Sequence, residues 1–273
     1  MTWPTEDGRQ ETGGAMSAMA PDTIGDLGSI LGVWAHPDDE AWLSAGLMAR
    51  AVDAGRRVVC VTATAGEAGF PDGDPRPKEE RVAIRRAEMA ASLGEVGVTE
   101  HHWLGYRDGH CDEIADEEAV AIIARLIADV QPDVLLTFGP DGATGHVDHV
   151  AVCRWSTMAC ARAATAPRLL YATKTAEWNQ EFFRRIDPSQ VMMVEGMAPE
   201  ATPTSELAIW FSCEDDLLDR KVRSLRAQQS QIEPLVTGYG IDAFRILVRE
   251  EFFRERRATD PDQPGRQSVE ATR

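Results

Sequence analysis

Apolar residues in this chain come as short unbroken runs, separated by stretches in which they recur every three or four positions. SILGVWA (29–35) is one such run, bounded by Gly28 and by the polar turn AHPDDE, and it predicts a buried strand. AWLSAGLMARAVDAG (41–55) then shows helical spacing, with Leu43, Leu47, Ala51 and Val52 on one face and Gly55 as the stop. RRVVCVTATAG (56–66) reads as a second strand, and KEERVAIRRAEMAASLG (78–94) as a helix ending at Gly94. VTEHHWLG (98–105) and PDVLLTFGP (132–140) are strand-like, with the helix EEAVAIIARLIADV (117–130) between them. VDHVAVCRWSTMACARAA (147–164) predicts a helix and RLLYATKT (168–175) a strand.

This alternation from 29 to 175 predicts βαβ units: an α/β fold with a mostly parallel sheet and helices on both faces. Beyond 175 the pattern weakens. ELAIWFSC (206–213) fits a strand and EDDLLDRKVRSLRAQQSQ (214–231) a single helix. The expected organisation is a disordered polar tail over 1–26, one domain over 27–256, and a frayed polar tail over 257–273. Within the first tail, Met16 and Met19 are alternative starts.

Composition narrows the function classes. The chain has 273 residues and a formal charge of −17, from 28 basic and 45 acidic side chains. That balance argues against nucleic acid and anionic membrane surfaces, both of which are met by basic patches. No apolar run approaches the roughly 20 residues of a membrane helix, and the N-terminus lacks the pattern of a secretory signal. Cys60, Cys111, Cys153, Cys160 and Cys213 form no disulfide framework, so buried reduced thiols and a cytoplasmic location are expected. Oligomeric state is not readable from the pattern.

Candidate chemistry concentrates in two loops. In open α/β sheets ligands bind beyond the carboxyl ends of the strands. AHPDDE (35–40) ends the first strand, and GPDGATGHVDH (139–149) ends another. His36 and Asp39 are three residues apart, as are His146 and His149, and these segments hold three of the six histidines. Two imidazoles and a carboxylate are a common ligand set for catalytic zinc, with a position left for water. His36, Asp39 and His149 would supply that set, Asp38 would be free to act as base toward the water, and Asp148 would orient an imidazole. The bland alternative makes Asp38, Asp39 and Glu40 the anionic first turn of the next helix. It accounts for the carboxylates but not for His36, nor for a second His cluster on the same sheet edge. The remaining histidines read as surface: His101 and His102 adjoin on a strand and face opposite sides, and His110 lies in a loop.

HPDDE after an apolar strand, with GHVDH over a hundred residues later, resembles the LmbE-like (PIG-L) family of metal-dependent N-deacetylases and amidases. The resemblance covers roughly residues 29–231 and includes TATAGEAG (62–69), IRRAE with Arg85 and Glu88, LGYRDG (104–109) and KVRSLRAQQSQ (221–231). It implies a Rossmann-like fold, with His36, Asp39 and His149 as ligands of zinc or ferrous iron. It implies Asp38 as general base, and His146 as the imidazole that stabilises the tetrahedral intermediate or protonates the amine. Asp148 would be the partner of His146, and Arg85 and Asp108 would contact sugar hydroxyls. The chain departs from common family patterns at Thr144 (a tyrosine in some sugar-acting members), Val147 (often proline) and Gln228 (often histidine). These departures bear on substrate and oxyanion stabilisation, not on the metal.

The expected function is removal of an N-acyl group, N-acetyl foremost, from an amino sugar or its conjugate, a small-molecule partner. The alternatives are an amidase acting on a larger N-acyl or thiol conjugate, with the loop 67–77 and the region after 175 setting the choice, and a non-catalytic sugar- or nucleotide-binding protein. Intact Asp38 and His146 favour the enzyme, since binding alone would not require them.

Overall fold

The computed structural model describes residues 27–187, 191–194, 196–262 and 264–265; the expected tail over 1–26 lies outside them. The first five strands are β1 (Ile30–Trp34), β2 (Val58–Thr64), β3 (Glu100–Tyr106), β4 (Val134–Phe138) and β5 (Arg168–Ala172). Helices α1 (Asp39–Asp53), α2 (Lys78–Glu95) and α3 (Asp116–Val130) join them, followed by the short turn α4 (Gly142–Gly145) and by α5 (Val147–Arg162). Further on come α6 (Ala176–Arg185), β6 (Leu207–Ser212), α7 (Asp215–Ala227), α8 (Gln229–Tyr239), α9 (Ile241–Val248) and β7 (Glu250–Glu255).

The sheet order is β3-β2-β1-β4-β5-β7-β6. Its first five strands pair in parallel, and β7 pairs antiparallel with both β5 and β6. Every residue of β1, β2 and β4 is buried. Helices cover both faces of those strands, which is why they read as continuous apolar runs rather than as alternation. α1 and α2 pack with α7, while α3 packs with α5. β1 and β4 are neighbours although β4 follows β3 in the chain. Strand order reverses between them and opens a crevice at their carboxyl ends, where α/β sheets bind ligands.

Past residue 175 the structure departs from the sequence reading. The helix expected over 214–231 is two helices, α7 and α8, which meet at Gln228. β7 carries the sequence EEFFRE, whose charges hide a strand: Glu251 and Arg254 are buried, but each is paired. The expected frayed end is docked over its described part. Arg154 Nη1 donates to the Pro264 carbonyl at 2.9 Å, and the Arg257 amide donates to Asp260 at 2.7 Å. All five cysteines are free and buried, as expected.

Candidate metal centre

AHPDDE forms a tight corner between β1 and α1. Asp38 caps the helix from a left-handed conformation, φ 100°, that a non-glycine residue adopts at a cost of about 1–3 kcal/mol. Its backbone is held on three sides. The Asp38 amide donates to Glu40 Oε2 at 3.0 Å, its carbonyl accepts from the Ala41 and Trp42 amides at 2.9 Å, and Arg85 Nη2 donates to the Pro37 carbonyl. The turn leaves Asp38 partly open to solvent and Asp39 facing inward, where Asp39 Oδ2 accepts from the His36 amide at 2.7 Å.

The second loop brings His149 opposite. Gly142, at φ +67°, lies so close that a Cβ there would sit 3.1 Å from the Cβ of His149. This approach lets the Gly142 carbonyl accept from His149 Nδ1 at 2.9 Å. Phe138, the last residue of β4, stacks on the His149 ring at 4.1 Å and 11°. The imidazole is thereby fixed in plane and tautomer, with its Nε2 lone pair facing His36.

His36 is fixed from its other nitrogen. Nε2 lies 3.1 Å from Asp108 Oδ1 and 3.1 Å from Asp148 Oδ2, so it carries a proton toward two carboxylates. Those carboxylates are themselves anchored. Asp148 accepts from the Gly109 and Cys111 amides at 2.7 and 2.8 Å, and Asp108 from the Ala68 amide at 2.8 Å. With Nε2 committed to the carboxylates, Nδ1 is the nitrogen turned toward His149.

His36 Nδ1 and His149 Nε2 face each other at 3.1 Å. Asp39 Oδ1 lies 3.4 Å from His149 Nε2, and Asp39 Oδ2 lies 3.6 Å from His36 Nδ1. Without an ion, a proton on His36 Nδ1 serves this contact; once it is lost, three acceptors converge on one point. A small divalent ion with bonds of about 2.0–2.1 Å spaces tetrahedral ligand atoms about 3.3 Å apart, so these separations and this donor set fit one. The nitrogens of His36, His146 and His149 all lie within 4.8 Å of one another. His146 Nδ1 accepts from the Asp148 amide at 3.1 Å, which leaves its Nε2 for another partner.

Electrostatics point the same way. Burial pushes Asp38 up, against the opposing charge of Arg85, and pushes Asp39 up to about 7 and Glu40 up to about 8. Burial also works against charge on His36, but its hydrogen bonds to Asp108 and Asp148 and the charge of Asp39 hold it well above the ordinary value. Burial, with His36 beside it, holds His149 well below. Without a cation the cluster retains protons, and a divalent ion would displace them.

Several expected roles move. Asp148 was expected to orient His146; its carboxylate instead turns to His36 and to two backbone amides, and only its amide meets His146. Arg85 and Asp108 were expected to meet sugar hydroxyls, yet they are 2% and 7% exposed. Arg85 braces Pro37 and Asp38, 3.4 Å from the Asp38 carboxylate, and Asp108 holds His36. Gln228 lies away from the cleft, fully buried, with Nε2 on Glu40 Oε1 at 3.2 Å. Glu40 supports the corner as expected. His101 bonds Thr62 at 2.9 Å and His110 pairs with Glu113 at 2.8 Å, both outside the cluster. The contributions of Phe138 and of the Gly142 carbonyl carry no sequence signature, because each acts through its position at the end of β4.

Among the described residues no helix is long and apolar enough to cross a membrane. The PIG-L family, described as GlcNAc-PI de-N-acetylase, matches residues 31–160. A 1D-myo-inositol 2-acetamido-2-deoxy-alpha-D-glucopyranoside deacetylase of Streptomyces scabiei is 36% identical over 161 residues, covering 50% of this chain and 49% of that one. The protein of the same name from Acidothermus cellulolyticus is 31% identical over 233 residues, covering 75% and 80%. The matched region thus spans about half the length of the first of these curated relatives. The N,N'-diacetylchitobiose deacetylase of Pyrococcus horikoshii superposes with a TM-score of 0.55 at 24% identity, covering 83% of this chain and 82% of that one, and shares the fold. On sequence and fold together, the chain belongs to the PIG-L (LmbE-like) family.

Proposed function

We propose that this protein is a zinc-dependent hydrolase that removes an N-acyl group from a small amino sugar or amino-sugar conjugate in the cytoplasm. The observation that supports the reading is the pair of imidazole nitrogens facing at 3.1 Å beside Asp39, with Asp38 and His146 next to them and outside that set. The names of the relatives, all deacetylases of an acetamido sugar, support the substrate class.

His36, Asp39 and His149 would hold the ion. When bound, zinc (or ferrous iron, which suits the same ligands) supplies Lewis acidity and lowers the pKa of water toward neutrality. Asp38, strained outward at the corner and braced by Arg85, takes the proton from the attacking water. His146 stands beside the cluster, its ring 4.6 Å from that of His36, and donates to the oxygen that becomes negative. The C–N bond breaks, hydroxyl remains on the acyl carbon, and Asp38 or His146 passes a proton to the departing nitrogen. Asp108 and Asp148 keep His36 in the tautomer that presents Nδ1, as carboxylates behind a ligating histidine do.

Amine release from N-acetylglucosamine, its methyl glycoside and its inositol conjugate, with and without chelator, tests the proposal. Release that stops with chelator and returns with added zinc is expected. Release indifferent to chelator would remove the metal from the reaction. Metal-loaded protein that binds these sugars without turnover would favour the binding-protein alternative.

A further inference from the structure

Five large apolar side chains are exposed among the described residues, and three of them gather at one place: Val147 at 46%, Met193 at 62% and Val194 at 47%. Val147 directly follows His146. The other two belong to the described residues 191–194, which with 196–197 are tied to the loop carrying the cluster. The Met193 amide donates to the Thr144 carbonyl at 2.9 Å. A Cβ on Gly145 would come within 2.7 Å of Met197 Sδ and 2.9 Å of Val194 Cγ2. Thr144 in turn places its hydroxyl 3.3 Å from His149 Nδ1. The apolar rim is therefore continuous with the candidate metal centre through two residues of backbone.

The opposite side of the centre is polar. The loop after β1 brings the partly open Asp38 to the crevice, with Arg85, Glu67 and Asp108 buried behind it. The sheet order places β2 and β3 on one flank of the β1/β4 crevice and β4 and β5 on the other, so polar and apolar walls lie on opposite flanks. An amide is planar and trans, and its two substituents leave in opposite directions. If the sugar lies along the polar wall, the acyl chain runs along the apolar one.

Resting on the hydrolase reading above, we infer that Val147, Met193, Val194 and Met197 form an acyl subsite, and that the preferred substrate carries a saturated acyl chain longer than acetyl. An acetyl methyl is too short to cover this rim. A chain of about six carbons carries enough apolar surface to cover several of these side chains. Methionine suits the task, since its unbranched thioether adapts to an alkyl chain without a fixed shape.

The test measures kcat/KM for amine release from methyl glycosides of N-acetyl-, N-butanoyl- and N-hexanoyl-glucosamine, and from the octyl glycoside of N-acetylglucosamine. One fully buried methylene is worth about fourfold, so four of them covered by about two-fifths predict about a tenfold preference for hexanoyl over acetyl. The preference should lie mainly in KM and collapse toward one in the double variant Met193→Ser, Val194→Ser. Equal rates for hexanoyl and acetyl would overturn the inference, as would a preference gained only from the octyl glycoside, which would give the rim to the aglycone. Calorimetric titration of hexanoate and acetate reads the subsite without turnover. Hexanoate bound about tenfold more tightly, with no amine released from any substrate, would sustain the subsite and overturn the hydrolase; equal binding would overturn the subsite.

Discussion

Helix α1 begins in one buried ionic cluster and, about two turns further along, is gripped by another. In the second, Glu251 accepts from the Gly46 and Leu47 amides at 2.7 and 2.9 Å and from Lys221 Nζ at 2.6 Å. Lys221 also donates to the Trp42 carbonyl at 3.1 Å, and both side chains of the pair are 0% exposed. One charge meets one charge, and the remaining lone pairs meet helix amides. The first cluster has the opposite character. His36 Nδ1, His149 Nε2 and Asp39 converge with only exchangeable protons between them, and Asp38 and Asp39 are pushed up by burial. A closed cluster holds the fold together; an open one has the make-up of an ion site. Burial alone does not separate them, but an inventory of donors and acceptors does.

The contrast can be broken from either side. The largest effect is expected at Asp38, which belongs to the open cluster but not to its ligand set. Asp38→Asn should keep its metal and lose about 10²–10⁴-fold in kcat, the usual worth of a general base; steady-state rates beside elemental analysis check this, and near-normal turnover would remove Asp38 from the role. In the closed cluster, Lys221→Ala should cost about 3–5 kcal/mol in urea unfolding, because Glu251 would stay buried without its counter-charge. A loss below about 1 kcal/mol would mean that the pair does not carry the packing of α1, α7 and β7. The smallest of these effects is expected at Asp148. Asp148→Asn should weaken metal binding or turnover by about 10–100-fold, since only Asp108 would then face His36 Nε2. Titration with a zinc indicator measures it, and unchanged affinity would mean that Asp108 alone sets the tautomer.

The parallel half of the molecule was legible because both its faces are covered. β1, β2 and β4 appear as unbroken apolar runs, and the loops at the ends of β1 and β4 stand out by their histidines. The antiparallel half was not. Glu251 looks like a surface residue until Lys221 is brought to it from α7, 30 positions away in the chain. The break at Gln228 is similarly hidden, since helical spacing continues across it while its side chain turns inward to Glu40. Within the site, the spacing of His36, Asp39 and His149 pointed to the gathering that the structure displays. Asp108 and Asp148 were singled out, but not their meeting at His36 Nε2. Their convergence on one nitrogen depends on the register of β3 against α5, and no local pattern encodes it.

The account stands on a single cation in the open cluster. Elemental analysis of the purified chain, equilibrated with zinc and freed of excess metal, tests it most directly, alongside His36→Ala, Asp39→Ala and His149→Ala. One equivalent of metal per chain in the wild type, lost in each of the three variants, is the predicted result. A wild type that retains none, or variants that retain it fully, would contradict it.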